Sequence, residues 1–565
     1  MERHPQTDAC VIGLGAAGGV IAAELAKAGL SIVALEAGPY FKREQFEDHG
    51  EVHDELAYVI QGKLRWNQPE VLIYNDGPTL TFPVIARNLG VGGPLHWSCF
   101  SYRFHESDFR VKRSSGVPEG SSVDDWPISY HDLEHFYDRA EYTFGVCGAG
   151  SPFDAPRKRP YPLPPLTRQR AGQLFLKTAT DLGYHPFPIP AAITTEATYN
   201  GRQYRQPCNY CGYCTFYGCE QHAKGSTLVV TLPEAIATGQ LEIRPHAQAV
   251  QINVRNKQAR SVLYLDREGN PHEQPARVVI ACNNAAYVAR LFLLSKSNDY
   301  PNGLANSSGL VGKNLMFHAS VFGYGIYPDR DLDAVQGPQA TVAFDDLNED
   351  RPREKHDQSF IRGAVVSGGL PLAFTGGPLA FASALGTYAP LPAGVPTWGK
   401  GFKDFLRRYY KRHLAISALC EDLPIESNRI ELDSGVKDQY GLPAIRIIYR
   451  DHPNNRSMQQ FMQKRITELF KSSGASNYVV SIPEIPGGAA AGHVMGTTRM
   501  GDDFKRSVVN EYCQTHDIPN LFVGGSSVFV TASGLNPTLT IFALAYRSAE
   551  HIIKLWKQNA FSESQ

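Results

Sequence analysis

The sequence has no run of about twenty uninterrupted apolar residues, which is the length that a helix needs to cross a bilayer. It also has no excess of charge, because 55 lysines and arginines oppose 56 aspartates and glutamates and leave a net charge of -1. A balanced chain offers no electrostatic reason to expect a nucleic acid or an acidic membrane as a partner. Internal repeats and low-complexity tracts are absent as well, so the sequence predicts ordinary globular domains.

The apolar run VIGLGAAGGVIAA, which begins at Val11, does not have the form of a signal peptide. Glycines interrupt it, and neither a basic region nor a small-residue cleavage site accompanies it. On this ground the sequence predicts a cytoplasmic location.

The ten cysteines are unevenly distributed. Four of them crowd into twelve positions, at Cys208, Cys211, Cys214 and Cys219. A disulfide framework would spread its pairs along the chain, so this group is more typical of a metal or cluster site in a reducing or shielded setting. The spacing CxxCxxCxxxxC is close to a ferredoxin-type run, although it is one residue longer before the last cysteine. A zinc site and a set of buried free thiols are the alternatives.

The N-terminal segment has the pattern of a dinucleotide-binding unit. A short apolar run from Asp8 to Ile12 predicts a strand, and the glycines of a GxGxxG motif follow it at Gly13, Gly15 and Gly18. These glycines permit a tight turn into a helix and the close approach of a pyrophosphate, which the free amides at the helix start favour. A second predicted strand, Ser31 to Leu35, ends at Glu36, where a carboxylate can accept hydrogen bonds from a ribose.

Two Gly-rich turns near the C-terminus carry candidate catalytic side chains. GGAAAGHVMGTTRMGDD contains His493, and GGSSVFVTASGLNPTLT contains Asn536. A histidine is suited to proton transfer because its pKa lies near neutrality. The alternatives are a buried, hydrogen-bonded histidine and, for Asn536, a helix N-cap ahead of Pro537.

Four segments spread over the chain carry a resemblance to a known family. They are the nucleotide unit, the two C-terminal turns taken together, ARNLGVGGPLHWSCFSYRF from Ala86, and PCNYCGYCTFYGC from Pro207. With these segments the chain resembles the glucose-methanol-choline oxidoreductases, and within that family the flavoprotein subunits of gluconate 2-dehydrogenases. The resemblance implies FAD as cofactor and a CH-OH group of a sugar, sugar acid or related polyol as substrate.

The expected fold is α/β, with a Rossmann-like FAD-binding domain assembled from discontinuous segments. The resemblance adds an α+β substrate domain built on an antiparallel sheet, and 565 residues exceed what one hydrophobic core usually supports. Residues 1–120, 221–320 and 485–565 are assigned to the FAD-binding domain. Residues 121–220 and 321–484, including the cysteine-rich segment 208–219, are assigned to the substrate domain.

The resemblance also implies roles for the two C-terminal turns. The family's catalytic histidine lies three residues before a Gly-Thr pair, which here are Gly496 and Thr497, so His493 is the expected base. Asn536 takes the second position, which hydrogen-bonds the same substrate oxygen. A base is required because an alkoxide releases hydride to flavin N5 far more readily than a neutral alcohol.

Further positions are expected to contact the flavin nucleotide. His96 stands where some relatives, including choline and pyranose oxidases, join a histidine covalently to the flavin, although the chain is one residue shorter there than the pyranose oxidase pattern. The family's usual Gly-containing turn is replaced by Cys282, Asn283 and Asn284, which leaves the local geometry at the nucleotide open. The complete set of expected cofactor contacts is Gly13, Gly15, Ala17, Gly18, Glu36, Gly92, Gly93, His96, Trp97, Val250, Gly525, Ser526, Pro537 and Thr538.

The four clustered cysteines bear on the electron acceptor. Related multi-subunit dehydrogenases use an iron-sulfur cluster in this region to pass electrons to a cytochrome, so the resemblance implies a cluster, a small subunit and a cytochrome acceptor. No CxxCH haem-attachment motif occurs, so any cytochrome would be a separate chain. The alternative is an oxidase that reduces oxygen to hydrogen peroxide. Export to the periplasm alongside a partner subunit is the alternative to a cytoplasmic location.

Overall fold

The computed structural model describes most of the chain. The described residues are 1–42, 69–82, 84–85, 90–93, 95, 97–212, 214, 218–334, 336–338, 341–349, 359–370, 381–382, 385, 391–483 and 492–561. His96 therefore lies outside the described residues.

The strands are numbered in chain order. They are β1 (Glu2–Arg3), β2 (Thr7–Ile12), β3 (Ile32–Leu35), β4 (Glu70–Tyr74), β5 (Thr79–Thr81), β6 (Phe187–Pro188), β7 (Thr198–Tyr199), β8 (Arg202–Gln203), β9 (Leu241–Arg244), β10 (Gln248–Arg255), β11 (Gln258–Leu265), β12 (Pro271–Ala281), β13 (His318–Ile326), β14 (Val342–Phe344), β15 (Ala364–Leu370), β16 (His413–Glu421), β17 (Arg429–Lys437), β18 (Pro443–Tyr449), β19 (Asn477–Ser481) and β20 (Leu521–Val523).

The helices are numbered in the same way. They are α1 (Ala16–Lys27), α2 (Val111–Ser115), α3 (Tyr130–Phe144), α4 (Arg170–Asp181), α5 (Thr227–Val230), α6 (Leu232–Ala237), α7 (Ala285–Leu294), α8 (Gly399–Tyr409), α9 (Pro453–Ser473) and α10 (Thr538–Lys557), with 3-10 turns at Glu106–Phe109 and Ser526–Val528. Within the described residues, no helix combines the length and the apolarity that a membrane crossing requires.

The first sheet has a parallel core of β20, β12, β2, β3 and β9, in that order. The strands β10 and β11 extend it through antiparallel pairing to the first half of β12. All residues of β3 and all but one of β2 are buried, as expected for parallel strands that are covered on both faces. The predicted strand-helix-strand unit at the N-terminus is thereby confirmed, with α1 between β2 and β3.

Helices from distant parts of the chain pack over this sheet. The rings of Phe144 in α3 and Phe542 in α10 stack with centroids 3.9 Å apart, and α10 also packs on α1. The hydroxyls of Tyr137 and Thr540 add a buried hydrogen bond of 2.8 Å between α3 and α10. This packing places the N-terminal end of α10 in the same core as the nucleotide unit.

The second sheet is antiparallel, with the order β19, β13, β16, β15, β14 and β6. Helices α4 and α9 cover one face of it and form a separate apolar cluster with Phe175, Met458 and Phe470. The predicted fold class is confirmed by the two units together. One is a Rossmann-like α/β unit assembled from discontinuous segments, and the other is built on an antiparallel sheet.

A third sheet crosses the predicted domain boundary. Its order is β17, β18, β4 and β5, so that β4 and β5 from the first assigned segment pair with strands from residues 429–449. In the other direction, α3 lies in a segment assigned to the substrate domain and packs on α10. The domain boundaries stay a prediction.

Candidate active site

The nucleotide turn connects β2 to α1 and depends on two glycines. Gly13 has a φ of +87°, and a Cβ at Gly18 would lie 1.9 Å from the Gly13 carbonyl oxygen, so neither position accommodates a side chain. Gly15 is the N-cap of α1 and provides no side chain to cap it. The amides of the first turn, including that of Ala17, are therefore left as donors for an anion at the helix start.

Glu36 follows β3 and faces this turn. Its Oε2 accepts a hydrogen bond from the Leu14 amide (2.9 Å), and its Oε1 accepts from the amides of Gly38 (2.8 Å) and Gly90 (3.4 Å). Burial raises the pKa of Glu36, and the hydrogen bonds from Gly38, Leu14 and Gly90 oppose that rise. Because a carboxylate has about four lone-pair sites, the group still has room for a ribose hydroxyl.

The turn at residues 90–93 lies against the nucleotide turn. The Gly92 amide donates to the Leu14 carbonyl (3.0 Å), and a Cβ at Gly15 would lie 3.5 Å from the Gly93 carbonyl oxygen. Trp97 is buried, its ring meets Phe542 edge to face at 6.0 Å, and its indole Nε1 has no hydrogen-bond partner among the described residues. Gly92 and Gly93 therefore lie against the nucleotide turn, and the flavin contacts predicted for them and for Trp97 stay predictions.

A cleft opens at the carboxyl ends of β2, β3 and β12, where ligands bind in doubly wound sheets. Asn283 contributes a buried side-chain oxygen that has no partner within the described part of the chain. Val250 lies at a β-bulge, one residue after Ala249, which lines the cleft. Its predicted contact with the cofactor stays a prediction. The cleft is lined by Ile12, Gly13, Gly15, Leu35, Glu36, Ala37, Ala247, Gln248, Ala249, Cys282, Asn283, Asn284, Tyr287, Arg290, Leu291 and Leu294.

The donor and acceptor set of this cleft fits a dinucleotide such as FAD. Free amides at a helix start suit a pyrophosphate, and a buried carboxylate suits a ribose. The unpartnered atoms of Asn283 and Trp97 are buried polar groups that a bound ligand can satisfy.

His493 lies in a segment that two others hold in place. The amides of Met495 and Met316 exchange hydrogen bonds of 3.0 Å with each other's carbonyls. On the other side, the Gly496 amide donates to the Ser526 carbonyl (3.1 Å), and the Ser526 hydroxyl donates to the Val494 carbonyl (2.6 Å). The predicted base is thus fixed next to a predicted flavin contact.

The loop after β20 joins this segment to the nucleotide turn. The Gly524 amide donates to the Ala281 carbonyl (2.8 Å), and a Cβ at Gly524 would lie 3.1 Å from the Ala17 Cβ. The structure therefore brings Ala17, Gly525, Ser526 and His493 into one contiguous region, although Ala17 is separated from the other three by hundreds of residues in sequence.

The imidazole of His493 is half-buried and carries a buried Nδ1 that has no hydrogen-bond partner in the described chain. Burial lowers the pKa of His493 to about 4. A neutral histidine can accept a proton, which is the state that a general base needs.

Asn536 is half-buried and stands directly before α10. Pro537 is the N-cap of this helix and Thr538 its first residue, so the interpretation of Asn536 as the N-cap is wrong. The amides at Thr538 and in the turn after it have no intrahelical partner, so the N-terminus of α10 offers donors to an anion.

His318 is a second imidazole at the site, and the sequence reasoning missed it. The two rings lie 5.0 Å apart at 76°, with the edge of one towards the face of the other. His318 is buried, its Nδ1 lies 3.3 Å from the Cys420 carbonyl oxygen, and its Nε2 has no partner within the described ranges. In sequence it is a lone histidine in NLMFHAS, and only the pairing of distant segments reveals its neighbour.

The four clustered cysteines line one small cavity together with Lys224. All four are described, and no three of their sulfur atoms lie within 4.8 Å of one another. A zinc ion with Zn-S bonds of about 2.3 Å would need closer sulfurs, so this arrangement is not a formed zinc site. Without a bound metal, burial raises the pKa of Cys208 to about 11 and that of Cys214 well above its usual range, so a metal that binds here must displace both thiol protons.

Comparison with known proteins gives consistent results. Models of the family described as GMC oxidoreductase match residues 167–320 and 424–545. The gluconate 2-dehydrogenase flavoprotein of Pantoea cypripedii is 32% identical over 98% of this chain and 94% of its own. The 2-methyl-1,2-propanediol dehydrogenase of Mycolicibacterium austroafricanum is 32% identical over 97% and 95%.

Two further comparisons extend this result. The fructose dehydrogenase large subunit of Gluconobacter japonicus is 26% identical over 98% of both chains. The fold is similar to that of pyridoxine 4-oxidase from Mesorbium loti, with a TM-score of 0.59 at 16% identity over 97% of this chain and 99% of that one.

Proposed function

The chain belongs to the GMC oxidoreductase family, and we propose that it oxidises a hydroxyl group of a sugar, sugar acid or related polyol and passes the electrons to a separate acceptor. Family membership makes it an FAD-dependent oxidoreductase that acts on CH-OH donors, and this confirms the enzyme class predicted from the sequence.

The residues of the nucleotide cleft would hold the cofactor. The first-turn amides of α1 would bind the pyrophosphate, Glu36 would accept a hydrogen bond from a ribose hydroxyl, and the free amides at the start of α10 would favour negative charge on the flavin. Bound FAD supplies the hydride acceptor, and the protein supplies orientation and proton transfer.

His493 is the base in this proposal. The observation that carries it is the position of a half-buried neutral imidazole on a segment that is hydrogen-bonded to Ser526, beside the nucleotide turn. The substrate O-H bond breaks as Nε2 of His493 takes the proton, and the electron pair that remains on oxygen drives hydride release. Asn536 is proposed to hold the same oxygen through its side-chain amide while remaining uncharged.

Electron transfer out of the protein is the finer part of the proposal. We propose that Cys208, Cys211, Cys214 and Cys219 hold an iron-sulfur cluster and that a small subunit and a cytochrome complete the complex. The convergence of the four cysteines on one cavity supports this proposal, and one relative is itself named a large subunit. A cluster, which bridges its thiolates through several metal ions, does not need the close sulfurs of a single zinc ion.

Anaerobic mixing of the purified, FAD-loaded protein with candidate donors tests the function. Gluconate, fructose and 2-methyl-1,2-propanediol represent the substrates named for the relatives. We expect at least one such hydroxyl compound to bleach the flavin, and dye reduction to exceed oxygen consumption at steady state. Rapid peroxide formation without a partner would identify an oxidase instead, and a flavin that no hydroxyl compound reduces would contradict the proposal.

A further inference from the structure

An isolated antiparallel bridge brings the segments of His493 and His318 together. It joins Met316 to Met495, two residues from each histidine. The two imidazole rings lie 5.0 Å apart, close enough for their side chains to be neighbours. His318 is also the first residue of β13, so the second sheet holds its backbone in place.

The hydrogen bonding of His318 fixes which of its nitrogens carries the proton. A backbone carbonyl can only accept, so the 3.3 Å contact with Cys420 requires the hydrogen to be on Nδ1. Nε2 then presents a lone pair, and it is buried without a partner in the described chain. Burial and, secondarily, the neighbouring His493 lower the pKa of His318 well below its usual value, so the ring stays neutral.

Within the residues described, His493 lacks a hydrogen-bond acceptor where His318 lacks a donor. For its Nε2 to accept a substrate proton, its Nδ1 must carry hydrogen, and this buried N-H has no acceptor among the described residues. Burial alone leaves His493 with a pKa of about 4, which makes it a weak base at neutral pH. An acceptor on the far nitrogen of a histidine raises the basicity of the near one.

Neither Nε2 of His318 nor Nδ1 of His493 is hydrogen-bonded to a described residue, and the two rings meet edge to face. We propose that His318 is a positioning residue for His493: a rotation of the rings lets its Nε2 accept a hydrogen bond from Nδ1-H of His493, which orients that ring and strengthens it as a base. This inference rests on the proposed function, in which His493 takes the substrate proton. During the step one O-H bond breaks and one N-H bond forms at Nε2 of His493. The Nδ1 proton stays on His493, so His318 remains neutral throughout.

Other titratable groups face His318 and could mimic its effect. Glu421 is its direct partner across the β13–β16 pair, and burial raises the pKa of Glu421 to about 7. The Arg362 Nε donates to Glu421 Oε2 at 2.7 Å, and the Asp422 carboxylate, whose pKa burial raises to about 6, accepts from the Phe317 amide at 2.7 Å. A change in the pH dependence of kcat/KM could therefore reflect titration of Glu421 or Asp422. The test must for this reason measure the protonation of the histidines directly.

The chain offers a matched control for burial of a histidine in the same strand pair. His413 lies at the opposite end of β16, is 1% exposed, and has its Nδ1 3.3 Å from the Tyr409 carbonyl oxygen. Burial lowers its pKa to about 4, as it does for His493. Replacing His413 therefore reproduces the loss of a buried imidazole without touching the site.

Three variants test the proposal kinetically. His318→Leu removes the acceptor, His318→Gln retains one in its side-chain oxygen, and His413→Leu is the control. We expect His318→Leu to slow anaerobic flavin reduction about 10- to 100-fold with FAD still bound, and to move the acidic limb of kcat/KM to lower pH. His318→Gln should recover most of the rate of flavin reduction. His413→Leu should leave the acidic limb of kcat/KM at the same pH as in the parent protein.

Nuclear magnetic resonance of the FAD-loaded, 15N-histidine-labelled protein gives a readout that needs no substrate. We expect His493 to carry its proton on Nδ1 in the parent protein and its pKa to fall in His318→Leu. An unchanged pKa of His493 in that variant, or a His318→Gln variant as slow as His318→Leu, would overturn the inference. A shifted pKa in a protein whose flavin no CH-OH donor reduces would support the histidine pair and refute the proposed function instead.

Discussion

The nucleotide cleft and the histidine corner differ in how the chain builds them. The cleft is formed around backbone turns, with Gly13, Gly15 and Glu36 from the N-terminal strand-helix-strand unit and Asn283 and Asn284 from the turn after β12. The histidine corner consists of two side chains from distant segments, with the ring of His318 against that of His493. The difference implies a division of labour, in which the cleft determines whether FAD binds and the corner determines how fast it is reduced.

Replacing the proposed base should have the largest effect. In His493→Ala we expect flavin reduction to slow by about two to four orders of magnitude, in line with the loss of a general base. FAD content should stay at the parent level, because the cleft is untouched. Stopped-flow absorbance under anaerobic conditions measures the rate, and the flavin-to-protein absorbance ratio measures the content. Loss of FAD from this variant would contradict the proposal that the cleft determines FAD binding and the histidine corner determines the rate of reduction.

Replacing the ribose acceptor should give the opposite pattern. In Glu36→Ala the amides of Leu14 and Gly38 lose their acceptor along with the ribose hydroxyl, so we expect FAD affinity to fall about 10- to 100-fold. The rate of reduction at saturating FAD should change little. Glu242→Ala in the neighbouring strand β9 is the control, because that side chain is 58% exposed. Fluorescence of released FAD measures the affinity, and equal affinities in the two variants would contradict this account.

Protonation of His493 should reduce kcat/KM only at acidic pH. Burial lowers the pKa of His493, so the neutral, active form persists as pH falls below 6.5 and is lost only as the pH approaches its folded value. We expect kcat/KM for the donor to be flat from pH 7 to 8 and to decline at a limb below pH 6.5. A limb above pH 7 would show that another group controls the rate.

Substitution in the cysteine pocket should have the smallest effect on flavin reduction. Cys214→Ser should leave donor-dependent bleaching of the flavin unchanged while slowing reduction of an external cytochrome. Cys513→Ser, at a buried cysteine outside this pocket, is the control for thiol removal. Parallel assays with a small dye and with the cytochrome measure the two steps, and unchanged cytochrome reduction would argue against a relay.

The sequence predicted the strand-helix-strand unit at the cleft because its constraints are local. A glycine at position 18 is required by an atom five residues earlier, and Glu36 is placed by the strand that it ends. The remainder of the fold class was implied by the family resemblance, and the family model matches and a solved structure of similar fold confirm it.

The corner could be predicted only in part. The motif identified His493 through its Gly-Thr neighbours, but His318 reaches it through a bridge between residues 316 and 495 that no local pattern encodes. The four cysteines converge on one cavity as their spacing suggested, yet the positions of their sulfurs depend on the path of the loop. Spacing therefore predicted which residues meet, and the distances between them depended on tertiary packing.

The central claim is that His493 takes the substrate proton beside FAD bound in the cleft, and chemical rescue tests it most directly. FAD-loaded His493→Ala, mixed anaerobically with its donor, should be reduced faster in proportion to the concentration of added neutral imidazole, while the parent protein does not respond. A variant that reduces its flavin as fast as the parent protein without imidazole would contradict the claim.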